Sequence, residues 1–212
     1  MTVTTIPTAG IANDAVGNTK LDLSENYAFT GTVTGAGDPS QLVLINTQTV
    51  SSNVNEVFFT NKISSTYKLY KVVLNGIQKD QESHMRMRFM TDSSQITASN
   101  YDYCYGVGMR SRSSSTWSNR SSDNDYMQFI ENTSGNPAGA VFYVDTFHVD
   151  SNHTFVYGTE THWRSDGAII ASFTGRYTGT NTVNGIAFIT SAGNYSAGTF
   201  TIYGVKITWH TD

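Results

Sequence analysis

His84-Met85-Arg86-Met87-Arg88-Phe89 puts Met85, Met87 and Phe89 at one parity and His84, Arg86 and Arg88 at the other. Successive side chains of an extended chain point to opposite sides, so this stretch reads as a strand with one apolar and one charged face. The pattern spreads outward from there. Upstream lie Gln41 to Val50, Glu56 to Ile63 and the strongly β-forming Thr66 to Leu74. Downstream lie Tyr101 to Arg110, Tyr126 to Glu131, Ala140 to Val149, Thr154 to Arg164, Ala168 to Tyr177, Val183 to Thr190 and Thr199 to Trp209. An earlier run, Ala28 to Thr34, precedes the turn Gly35-Ala36-Gly37-Asp38-Pro39. Turn signals recur every ~10 to 15 residues and no helical period of useful length appears. These features predict an all-β chain, a jelly-roll-like antiparallel β-sandwich.

Composition agrees. The chain has 212 residues, 12% aromatic and 14% charged, and its polarity comes largely from Ser, Thr and Asn. That mix suits half-buried pleated surfaces joined by turns. The single cysteine, Cys104, excludes an intrachain disulfide and fits assembly in a reducing cytoplasm. With a net charge of -4 and no basic cluster, nucleic acid is not an expected partner. No apolar run is long enough for a membrane-spanning helix, so no membrane insertion is expected. Met1 to Gly10 lacks the basic region and apolar run of a secretory signal.

The first 26 residues read differently from residues 27 to 212. Ile6, Pro7, Ile11, Val16, Leu21 and Leu23 are scattered without a period, and Pro7 favours extended backbone. Such a segment cannot build its own core. It reads as an extended N-terminal anchoring arm, ordered by packing on a partner. Residues 27 to 212 form the sandwich head. Inside the head, Ser111 to Asp125 has almost no apolar content and reads as a long exposed loop. Arg110, Arg112, Trp117 and Arg120 on or beside it combine an aromatic face with planar cationic donors, chemistry suited to a glycan or a protein partner. The plainer alternative is a solvated loop whose Trp117 tucks against the sandwich or a neighbouring subunit.

Catalytic and metal motifs are sparse. Glu160, His162 and His148 could converge, but polar residues on an outward face account for all three. Asp102, Asp145 and Glu160 are the carboxylates a glycan-cleaving site would draw on, and nothing pairs them. No G-x-S-x-G elbow occurs. Cys104, inside Tyr101-Asp102-Tyr103-Cys104-Tyr105, reads as a small packed strand residue. No metal, cofactor or enzymatic activity is expected.

Two sets of residues carry a resemblance. Ile6-Pro7-Thr8-Ala9-Gly10-Ile11-Ala12-Asn13-Asp14-Ala15-Val16, running on to Lys20-Leu21 and then Phe29-Thr30-Gly31-Thr32-Val33, resembles the arm at the start of many phage tail-fibre and virion proteins. Tyr67 to Asn75, Met85 to Phe89, Ser99 to Tyr103 and Gly193 to Lys206 resemble small jelly-roll proteins of tailed phages. The resemblance implies a non-enzymatic bacteriophage virion structural protein, commonly a homotrimer. One form is a short tail fibre or receptor-binding head, anchored by its arm to other virion proteins and touching a host surface glycan. The alternative is a capsid decoration (cement) protein stabilising the head shell. A carbohydrate-binding or glycan-cleaving domain is a further alternative from another class. The first two imply location in the virion, and the motifs carry over no catalytic residues.

Overall fold

The structure is a computed structural model that describes residues 41–110, 118–131, 135–146, 153–164 and 167–206. The chain divides into two units, Met1–Pro39 and Ser40–Asp212, and all described residues belong to the second. The arm residues Ile6, Pro7, Ile11, Val16, Leu21 and Leu23, with the 26/27 boundary, lie outside the described residues.

Thirteen strands are described: β1 (Leu42–Val50), β2 (Glu56–Phe59), β3 (Leu69–Lys79), β4 (His84–Thr91), β5 (Ser94–Gln95), β6 (Tyr101–Arg110), β7 (Ser118–Asn124), β8 (Met127–Glu131), β9 (Ala138–Asp145), β10 (Thr154–Arg164), β11 (Gly167–Tyr177), β12 (Gly185–Thr190) and β13 (Tyr195–Val205). Every pairing among them is antiparallel. One sheet runs β1-β13-β3-β9-β10-β11-β6-β7; the other runs β2-β12-β4-β5, with β8 also on β4. Eight strands carry the underlying order: β1-β13-β3-β9 face β2-β12-β4-β8. Numbered among themselves in chain order, these read 1-8-3-6 and 2-7-4-5, the order of a jelly roll. Two insertions widen the first sheet. β5 to β7 come between β4 and β8, and β10 to β11 come between β9 and β12. They meet in the pairing of β11 with β6, from Ile169↔Arg110 to Tyr177↔Tyr101.

The strand that decides the fold behaves as its parity requires. Met85, Met87 and Phe89 are fully buried. On the opposite face Arg88 donates to the Asp125 carboxylate and to Gln95 Oε1 at 3.1 Å. Arg86 lies 3.9 Å over the Tyr126 ring. The smaller sheet therefore satisfies its outer charges internally.

Aromatic residues fill the space between the sheets. Phe129 of β8 stacks on Phe173 at 5.1 Å and meets Phe142 at 5.8 Å and Phe188 at 6.3 Å edge-on, tying four strands together. Tyr70, Tyr101 and Tyr195 bring their buried hydroxyls to backbone partners. Tyr101 donates to the Ile96 carbonyl and accepts from Phe89 N, both at 3.0 Å, which pins the first insertion to β4. Tyr195 donates to the Ile189 carbonyl at 3.0 Å. Gly158 admits Phe142: a Cβ there would lie 2.3 Å from the Phe142 Cβ.

Two features differ from the sequence reading. Ser118–Asn124, expected inside a long loop, is strand β7, paired with β6 from Gly106↔Ser118 to Tyr101↔Asn124. Its Ser, Asn and Asp residues have no strand signal of their own; the open edge of β6 supplies the hydrogen-bonding partners. The two-residue β5 was also not anticipated.

Candidate functional site

β10 runs through the middle of the larger sheet, and its two faces carry the second correction. Val156, Glu160 and His162 are buried, at 1%, 1% and 3% exposure, while Tyr157 and Trp163 are 42% and 53% exposed. The face expected outside is inside. The reason is local. Glu160 lies between Ala140 and Ala171, small side chains that leave room for it. Lys79 is also buried, its ammonium donating to the Ser83 carbonyl. Burial lowers the Lys79 pKa to about 8, and the nearby Glu160 carboxylate limits the drop. Glu160 and His162 thus belong to a buried polar cluster, not to an outward metal site; His148 lies outside the described residues.

The aromatic face of β10 consequently points to solvent, with consequences for the whole sheet. Strand register aligns an outward row across all eight strands: Leu44, Tyr203, Lys71, Tyr143, Tyr157, Thr174, Cys104 and Arg120. Tyr143 and Tyr157 stack at 5.6 Å within it. Six large hydrophobic residues are exposed among the described ones: Leu44, Phe58, Val141, Tyr157, Trp163 and Ile170. All but Phe58, which is on β2, lie on this outer face. Scattered exposed apolar residues need no explanation, but their collection on one sheet face marks a contact surface.

Beside the Tyr143–Tyr157 pair is a shallow depression of about 310 Å³, lined by Asp102, Tyr103, Cys104, Phe155, Thr174, Gly175 and Arg176. Arg176 Nε donates to Asp102 Oδ2 at 2.6 Å. The pair presents donors and an acceptor side by side, next to an aromatic ring and the Thr174 hydroxyl. Such a set suits a polyhydroxylated ligand. Cys104, one of the lining residues, is exposed and not packed as expected, because the outward parity of β6 passes through it.

The carboxylates named from the sequence do not come together. Asp145 pairs with Phe155, Phe155 with Arg176, and Arg176 with Asp102. Three strand spacings therefore separate Asp145 from Asp102, about 14 Å at ~4.8 Å each. That exceeds the ~5 to 9.5 Å used by glycoside-cleaving pairs. Glu160 is on the opposite side of the sheet.

Of the candidate partner-contact residues, Arg120 is exposed on β7, directly across from Cys104 and next to the depression. Arg110 ends β6, paired with Ile169 about six residues further along the sheet. The structure does not gather the two into one site. Arg112 and Trp117 lie outside the described residues. Tyr143, Tyr157, Trp163 and Arg176 were not singled out from the sequence, and Asp102 was named only as a carboxylate for a glycan-cleaving site. The signal was present in the parity of Phe155, Tyr157 and Trp163, which normally marks the buried face.

No family model matches the chain, and neither a curated protein nor a solved structure is similar to it.

Proposed function

We propose that the chain is a non-enzymatic, receptor-contacting head of a bacteriophage particle, and that the outer face of its larger sheet makes the contact. The observation that carries the contact surface is the Tyr143–Tyr157 stack beside the depression held by Asp102 and Arg176. Aromatic rings offer flat apolar faces to sugar rings, and the ion pair offers directional hydrogen bonds to hydroxyls. The assignment to a phage particle is supported by the sequence resemblance and is compatible with the jelly-roll order, a fold that hosts many functions.

Binding of the purified chain to soluble envelope polysaccharides, read by interferometry, tests the surface. Tyr157→Ala and Arg176→Met are each expected to weaken binding about tenfold, equivalent to roughly 1.4 kcal/mol. Both sites are outward, so the fold should persist by circular dichroism. Binding unchanged in both variants would remove this face from the proposal. Release of reducing ends from any polysaccharide would overturn the non-enzymatic reading.

A further inference from the structure

A second depression, of about 290 Å³, opens on the same outer face where β3, β9 and β10 run side by side. Val73, Asn75, Gly139, Val141, Thr159 and Thr161 line it from the outward parity of those strands. Two local features make room for it. The regular β3–β9 pairing lapses between Leu74 and Ile77, where Gly76 takes a φ of 63°. Gly139 adds no side chain; a Cβ there would lie 3.3 Å from the Leu74 carbonyl oxygen and 3.6 Å from Thr161 Oγ1. The Tyr143–Tyr157 stack stands between the two depressions. Tyr157 pairs with Thr174, which lines the first, and Thr159, next on the same face of β10, lines the second. On β9 the outward neighbour of Tyr143 is Val141, which also lines the second. From Phe155 to Thr161 the run along β10 spans about 20 Å at ~3.4 Å per residue.

We infer that the ligand of this face is a linear polysaccharide strand, laid across both depressions and the tyrosine pair, and not a single terminal sugar. This rests on the receptor reading and names the class of glycan that the face takes. The stacked rings offer a flat apolar seat for one sugar, and an unbranched chain continues from it to either side. In the second depression the exposed Asn75 carboxamide and the Thr159 and Thr161 hydroxyls each donate and accept hydrogen bonds, beside the aliphatic Val73 and Val141. That mixture matches a sugar, whose hydroxyls alternate with C–H faces. In the first depression Asp102 and Arg176 are paired with each other, so they too offer hydrogen bonds more than an unbalanced charge. A peptide strand is recognised by an open backbone edge, and β10 is paired on both sides, to β9 and to β11. A single sugar on the tyrosine pair would leave the outer parts of both depressions unused.

The test uses the envelope polysaccharide that binds in the interferometry experiment, cut by partial acid hydrolysis into oligosaccharides of graded length. Titration calorimetry with the full chain gives the affinity of each. Affinity should rise about tenfold or more from a single repeating unit to fragments that reach across ~20 Å, then level off, because linked contacts act as one. Thr159→Val with Thr161→Val keeps the β-branched shapes and removes both hydroxyls. It should abolish the rise while leaving the single unit bound as tightly as by the wild type. Asn75→Ala, at the lapse in pairing, should reduce the rise in part. Tyr157→Ala should weaken fragments of every length. Affinity that does not grow with length overturns the extended strand and leaves the receptor reading standing. A rise that survives both second-depression variants does the same. If no polysaccharide binds the chain, both readings fall.

Discussion

At the residue scale, the most informative side chain is Lys79. Its ammonium is removed from water, and among the described residues the Ser83 carbonyl and the Glu160 charge compensate. Its pKa falls from the ordinary 10.5 to about 8. Between these two values the unfolded chain binds more protons than the folded one, so stability rises with pH across that window. The full effect corresponds to about 3 kcal/mol. The tyrosines act in the opposite sense. Burial raises the pKa of Tyr101 and Tyr195, so above about pH 10 the unfolded chain releases phenolic protons first and stability falls. Urea denaturation at stepped pH should therefore show a maximum between pH 8 and 10.5. In Lys79→Met the rise should vanish while the alkaline fall remains. A rise of equal size in that variant would assign it to another group.

At the element scale, β8 is the piece that joins the first insertion to the jelly roll. It is five residues long and borders β4 only through three paired positions, with a register break among them. Met127, Phe129 and Ile130 are all buried, and Phe129, the largest, lies among Phe142, Phe173 and Phe188. Phe129→Ala is expected to cost ~3 to 5 kcal/mol of unfolding free energy, because the rings left on three other strands cannot all close the void. Chemical denaturation measures this. A loss under 1 kcal/mol would show that β8 is held by its ladder and not by its core ring. β7 differs: a strand made of Ser, Asn, Arg and Asp has no core ring to offer and exists only as an edge to β6.

At the scale of the whole molecule, seven of the eleven described strand pairings join strands that are not consecutive in the chain. β1 pairs with β13, β2 with β12, β3 with both β9 and β13, and β6 with β11. Closing such long loops costs chain entropy before any contact repays it. Refolding from denaturant, followed by tryptophan fluorescence, should accordingly take milliseconds to seconds or longer. Microsecond refolding would be inconsistent with this topology. The same long-range pairing is what brings two separate insertions side by side and so builds the broad outer face.

The all-β class and most strand positions were legible because parity and turn residues are local properties. Met85, Met87 and Phe89 could face only one way, since their alternates are His84, Arg86 and Arg88. The candidate surface was not legible in the same manner. On β10 both parities contain residues able to be buried, Phe155, Tyr157 and Trp163 on one and Val156, Glu160 and His162 on the other. Hydrophobicity alone favours burying the aromatics. The choice falls the other way because Ala140 and Ala171 flank Glu160 and Lys79 approaches it, and those neighbours are assembled from distant segments. β7 and the exposure of Cys104 have the same origin, in an edge and a parity supplied by partner strands. Local alternation thus determines that this chain is a sandwich; long-range register alone decides which side of β10 meets the solvent, because a strand's inward face is set by what its neighbours leave room for.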